Sequence, residues 1–220
     1  MQGRLVKSEK KNKIQYFPSK SWKKELKIAK NIKYINNIEW TVNYENIFEN
    51  PMFDKTKLNY ISKELKKNKI KMNSVTCDFF MEKPFFKKEI DLKKINLLIE
   101  IIKNGIIIGI KYFIVPLVDQ SSINNMKQEK KLISIFKKEI IPLLKKSKSM
   151  VLFEMDYKPK LIIPFIKKFK SNRVGINYDT GNSASLGYDL LQELKYFKYV
   201  KNIHIKDRKL FGTTVRLGEG

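Results

Sequence analysis

Two kinds of hydrophobic pattern alternate along the chain. Short β-branched or apolar runs at residues 35–42, 70–77, 110–118, 150–155, 174–178 and 200–205 read as strands. Longer stretches with helical spacing follow them, at 55–68, 91–104, 123–146 (one helix or a helix pair), 159–170 with an early proline, and 188–197. A further helix is predicted over 22–32, after a Lys-rich loop. Strands alternating with helices imply a parallel sheet with helices packed outside it. The strand ends fall near 40, 77, 117, 155, 179 and 205, which leaves room for a crossover helix each time. Six strands, with a remnant of another at 1–5, exceed the needs of a small flavodoxin-like sheet, and no Gly-x-Gly-x-x-Gly follows an early strand. The pattern therefore predicts an α/β fold, a (β/α) barrel of TIM type. No low-complexity or Pro/Gly/Ser-rich break divides residues 1–220, so a single domain is expected. Such a barrel keeps its chemistry in the loops at the C-terminal ends of its strands.

Charge changes this picture less than its size suggests. The 220 residues carry 46 Lys+Arg against 22 Asp+Glu, a formal net charge of +24. A field of that sign attracts anions, nucleic acid among them. Yet 42 of the basic residues are Lys and only 4 are Arg. Lys, Ile and Asn together make up 89 residues, a joint excess that points to A/T-rich codons and not to one selected surface. Sequence readers of nucleic acid lean on the bidentate Arg fork. The KK pairs here sit along amphipathic helices, where a solvated outer face accounts for them. Nucleic acid is thus the disfavoured partner, while an anionic small substrate such as a sugar phosphate suits the field. The single cysteine, Cys77, excludes a disulfide framework and a cysteine-rich zinc site, and fits a reducing, cytoplasmic setting. The longest apolar runs are too short to cross a bilayer, and the N-terminus has no apolar signal-peptide core, so no membrane association is expected.

Three consecutive strands end on a potential metal ligand. VLFEMDY carries Glu154, VGINYDTGN carries Asp179, and VKNIHIKDR carries His204, the only histidine. Each is one βα repeat from the next. Neighbouring strands lie about 4.8 Å apart, so side chains at equal depth on three of them can meet at one point. An apolar strand seldom holds a carboxylate unless that group is paired or binds metal. Two carboxylates and an imidazole form a mixed O/N set suited to one divalent ion, Mn²⁺, Mg²⁺, Co²⁺ or Zn²⁺. Singly, each residue also has a structural explanation: a hydrogen-bonded His, a Glu paired to a lysine, an Asp capping a turn.

With these residues the sequence resembles the sugar phosphate isomerase/epimerase family, whose fold is the xylose isomerase-like TIM barrel. The segments that carry the resemblance include MQGRL at 1–5, NNIEW at 36–40, NSVTCDFFMEKP at 73–84, NYDTGNSASLGYD at 177–189 and NIHIKDR at 202–208. Asp-Thr-Gly-Asn followed by His-Ile-Lys-Asp-Arg is the most specific part. The resemblance implies a metal held by Glu154, Asp179, His204 and a second Glu on a last strand. It implies proton transfer at a carbon next to a carbonyl through an enediolate, with Glu154 as both ligand and proton carrier. Substrate-binding roles are implied for Arg208, Lys206 and Asn182, with Glu39 a further pocket candidate. Asn182 stands where some relatives have His. A sugar or sugar phosphate is the implied ligand, and a homodimer the implied assembly.

Against that pattern the barrel reads as incomplete. The family continues past a Gly-x-Gly loop to a last strand and helices that this sequence lacks, and MQGRL looks like the end of a clipped first strand. Two rivals follow. One is a non-catalytic, degenerate barrel that binds a sugar or a partner. The other, less favoured, is an endonuclease IV-type enzyme cutting at abasic sites, which needs many histidines where this chain has one. The expected outcome is weak or absent isomerisation of ketose phosphates by the 220-residue chain with added Mn²⁺. Turnover equal to that of a chain extended through a final strand would refute it.

Overall fold

The structure is a computed structural model that describes residues 5–7 and 16–220. Two compact units are present, Met1–Phe113 and Ile114–Gly220. The first contains helix α1 (Trp22–Asn31), strand β1 (Asn37–Thr41), α2 (Lys55–Asn68), β2 (Lys71–Thr76), α3 (Asp78–Glu82), α4 (Leu92–Ile107) and the start of β3 (Tyr112–Leu117). The second contains the rest of β3, then α5 (Met126–Ile135), α6 (Ile141–Ser147), β4 (Met150–Met155) and α7 (Pro159–Lys168). It continues with β5 (Val174–Asp179), α8 (Thr180–Ser185), α9 (Leu190–Leu194), β6 (Val200–His204) and a hairpin of β7 (Asp207–Arg208) and β8 (Thr214–Val215). Strands β1 to β6 form one sheet in sequence order. The β1–β2, β4–β5 and β5–β6 pairs are parallel. The six strands expected from hydrophobic alternation are therefore all present. The remnant at 1–5 lies, but for Leu5, outside the described residues.

In the first unit, α1 buries Trp22, Leu26 and Ala29, one stripe of its surface. Trp22 meets Trp40 of β1 and Tyr60 of α2 edge to face, at centroid distances of 6.0 and 5.7 Å. Asp54 starts α2 by accepting hydrogen bonds from the Thr56 and Lys57 amides. Gly105 of α4 packs under Phe113, where an added Cβ would lie 2.6 Å from the ring.

The second unit shows why β4 presents Glu154 to one side. Phe153 points to the opposite face of the strand. There it packs against Phe136, Phe165 and Phe169, with centroids 5.1 to 5.5 Å away. All four rings are almost fully buried. The long helical pattern at 123–146 is a helix pair, α5 and α6, joined by a π-helical turn at Phe136–Ile140. Pro142 supplies the reason, since it cannot donate to the ladder that would make one straight helix. The helix expected at 188–197 shrinks to Leu190–Leu194, followed by a 3₁₀ turn at Phe197–Tyr199. Helices α3 and α8 are too short to show a hydrophobic period. Among the described residues no helix is long and apolar enough to cross a membrane.

The aromatic cluster behind β4 should be the main local support of that strand. Phe153→Ala is expected to destabilise the protein by about 3–5 kcal/mol, read as a lower urea midpoint. A loss under about 1 kcal/mol would show that β4 does not depend on this packing.

Candidate metal centre

The register of the second unit brings the three expected ligands together. Asp179, the last residue of β5, pairs directly with His204, the last residue of β6. On the other side Phe153 of β4 pairs with Ile176, so Glu154 continues to the level of Asn177. Glu154, Asn177, Asp179 and His204 are all buried. One ligand atom from each of Glu154, Asp179 and His204 lies within 4.8 Å of the other two. His204 Nδ1 is 3.1 Å from Glu154 Oε2 and 3.8 Å from Asp179 Oδ2.

Amides fix the carboxylates. Asn177 Nδ2 donates to Glu154 Oε2 (2.8 Å) and lies 3.1 Å from His204 Nδ1. Asn202 Nδ2 donates to Asn177 Oδ1 at 2.7 Å, which turns the Asn177 NH₂ toward the site. Asn182 Nδ2 donates to the other Glu154 oxygen at 2.8 Å. Burial pushes the Glu154 carboxyl up, but the His204 ring, the Lys206 ammonium and the Asn177 amide outweigh it and hold the group below the usual glutamate value. Glu154 is therefore an anion at neutral pH.

The segment Asp179-Thr-Gly-Asn182 does four separate things. Asp179 Oδ1 caps α8 by accepting from the Asn182 amide at 2.9 Å. The Thr180 hydroxyl donates to the Lys206 carbonyl and accepts from the Lys206 amide, at 2.7 and 3.0 Å, which clamps the loop after β6. Gly181 leaves space for the Lys206 and Arg208 stems. A Cβ there would stand 2.8 Å from Lys206 Cβ. Asn182 joins Arg208 to Glu154, because its Oδ1 accepts from Arg208 Nη1 at 2.8 Å. The remaining Arg208 contacts, Nε and Nη2 to the Gly212 carbonyl, tie down the β7–β8 hairpin.

The expected site residues thus divide. Glu154, Asp179, His204, Asn182, Lys206 and Arg208 form one connected cluster. Glu39 belongs to the first unit, where it is buried at β1 and accepts hydrogen bonds from Ser74 Oγ and Thr76 Oγ1, both at 2.7 Å. The sequence pattern does not single out Asn177 and Asn202. The available signal is position, since each stands two residues before an expected ligand and so shares its strand face. Behind the site, Glu193 accepts from Tyr178 OH (2.7 Å), Ser183 Oγ (2.5 Å) and Tyr196 OH (3.0 Å), which ties α8 and α9 to β5. Burial, then the Glu193 charge, push the Tyr196 phenol up.

The donor set fits a metal ion. Asp179 Oδ2 is buried without a hydrogen-bond partner, although Lys206 Nζ stands 2.9 Å away as an ion-pair neighbour. An oxygen so placed, beside a carboxylate oxygen and an imidazole nitrogen, has the chemistry of a cation ligand.

Neither a protein-family model nor a curated protein matches the sequence. Solved structures do match the fold. A xylose isomerase domain protein from Planctomyces limnophilus superposes with a TM-score of 0.72 at 14% identity, over 89% of this chain and 74% of that one. An IolI protein with a bound zinc atom gives 0.68 at 16%, over 90% and 74%. The 3-keto-D-glucoside 4-epimerase YcjR from E. coli gives 0.66 at 12%, over 94% and 77%. The fold is xylose isomerase-like, and the chain spans about three quarters of the length of these structures. Within this barrel the Glu154–Asp179–His204 cluster sits at the C-terminal ends of consecutive strands, where barrels of this kind place their chemistry.

Metal binding to the native state should raise its melting temperature. Mn²⁺ or Zn²⁺ at about 100 times Kd is expected to add about 2.7 kcal/mol of stability, seen as an upward shift in a thermal melt. Asp179→Asn should abolish that shift; an unchanged shift would place the ion elsewhere.

Proposed function

We propose that this chain is a metal-dependent sugar or sugar-phosphate epimerase or isomerase. The observation that carries the reading is the convergence of Glu154, Asp179 and His204 from three strands, with ligand atoms within 4.8 Å of one another. The fold supports it, since barrels of this shape include the sugar epimerase named above. Glu154, Asp179 and His204 would hold one divalent ion, Mn²⁺, Mg²⁺, Co²⁺ or Zn²⁺. When bound, such an ion polarises substrate oxygens and offsets negative charge developing on them.

The chain's own residues supply the proton chemistry. The Glu154 carboxylate, kept ionised by its neighbours, takes the proton from the carbon next to the substrate carbonyl. The C–H electron pair moves into a new carbon–carbon double bond and the carbonyl π pair onto oxygen, giving an enediolate. Return of a proton to the same carbon from its other face completes epimerisation; in isomerisation the proton goes to the former carbonyl carbon, while the former carbonyl oxygen gains a proton and the neighbouring hydroxyl oxygen loses its own to become the new carbonyl. Asn177 and Asn182 hold both Glu154 oxygens in position. Arg208 and Lys206 give the rim positive charge for a sugar phosphate or a polyhydroxylated substrate. This reading takes residues 1–220 as one catalytic domain, working in the cytoplasm as a homodimer.

Solvent deuterium wash-in tests it, because it reads proton transfer even where net turnover is slow. With Mn²⁺ and a ketose or ketose phosphate, NMR should show deuterium entering the carbon next to the carbonyl. Glu154→Gln should slow this at least about 100-fold. Sugar binding without exchange in either protein would instead support a binding barrel. Metal-dependent cleavage of abasic DNA would support the nuclease.

A further inference from the structure

Lys206 is placed as though the site carried a cation of its own. Its Nζ lies 2.9 Å from Asp179 Oδ2, the oxygen left over after Asp179 Oδ1 caps α8. The same oxygen is 3.8 Å from His204 Nδ1, on the side where the expected metal ligands meet. One positive charge thus faces the buried Asp179 carboxylate at the edge of the cluster.

The fold builds this placement at the backbone. The Thr180 hydroxyl bonds both the amide and the carbonyl of Lys206, so the stem starts from a fixed point. Gly181 lets that stem pass, since a side chain there would collide with it. The Asp179 carboxylate is 1% exposed, whereas the Lys206 side chain keeps 26% of its surface in solvent. A flexible four-carbon stem with a solvent route can withdraw its ammonium, whereas the carboxylate cannot follow.

Two buried carboxylates with nothing opposite them repel each other and pay a large desolvation penalty. A lysine beside them relieves both effects before any metal arrives. A divalent ion must then enter against that ammonium or drive it out. We propose that Lys206 is the resident counter-ion of the metal-free site and competes with the divalent cation for Asp179, lowering metal affinity while holding the metal-free protein together. The inference rests on the metal-site reading above and assigns Lys206 a role distinct from substrate contact.

The test uses the metal alone, without substrate. Mn²⁺ affinity is measured by calorimetry or electron paramagnetic resonance at low salt for the full chain, for Lys206→Met and for Lys206→Arg. Met keeps the apolar stem and removes the charge; Arg keeps the charge. Lys206→Met should bind Mn²⁺ about tenfold more tightly than the unmodified chain, and Lys206→Arg should stay within threefold of it. Melting in EDTA supplies a second readout of opposite sign, because Lys206→Met should melt lower than the unmodified chain. A Kd for Lys206→Met within threefold of the unmodified chain, or weaker, overturns the proposal. So does equal tightening by Lys206→Arg. Mn²⁺ binding by none of the three proteins would overturn the metal-site reading itself and this inference with it.

Discussion

The site depends on one constraint, the parallel register that sets the end of β5 against the end of β6. Asp179 and His204 are direct partners in that register, and Glu154 joins them from β4. Asp179 and His204 leave one sheet face at equal depth and have little choice but to meet, and the Glu154 side chain reaches them from the level of Asn177, two residues deeper. Buried there, two carboxylates and an imidazole must find compensation, and the structure supplies it in layers. Asn177 and Asn182 donate to Glu154, Lys206 faces Asp179, and Asn202 orients Asn177.

The two faces of these strands carry different work. The face away from the site is apolar on β4, where Phe153 sinks into a ring of phenylalanines. On β5 it buries Val174 and Ile176 and ends on Tyr178, whose hydroxyl, like that of Ser183 in α8, is bonded to Glu193. Both arrangements make the strands rigid supports. A charged group can then be held at one place on the opposite face, as a preorganised site requires.

The segment 179–182 is compact because each residue answers a different need. Asp179 offers one oxygen to the helix and one to the site. Thr180 fixes the neighbouring loop, Gly181 makes room for two long side chains, and Asn182 ties Arg208 to Glu154. The high positive charge of the chain has no such organisation in the sequence. At the site, among the described residues, it is represented by Lys206 and Arg208, both engaged in named contacts.

Much of this is legible in the order of amino acids. The alternation of short apolar runs with striped segments locates all six strands, because buried strands are mostly apolar and helices must show a stripe. The three candidate ligands are legible too, since carboxylates and the single histidine interrupt strand ends where burial would otherwise exclude them. Short elements escape: TGNSAS has no hydrophobic period, and α8 exists because Asp179 caps it. Asn177 escapes because a buried amide resembles any other polar residue until its partners are known. Lys206 and Arg208 alternate with other side chains, and the sequence does not say which of them reach the cluster. The chain alone determined the order of elements and the residues unwilling to be buried without compensation. Only the tertiary structure decided which oxygen, nitrogen and ammonium face one another, because those distances come from strand register and from the hydrogen bonds that bridge separate βα units.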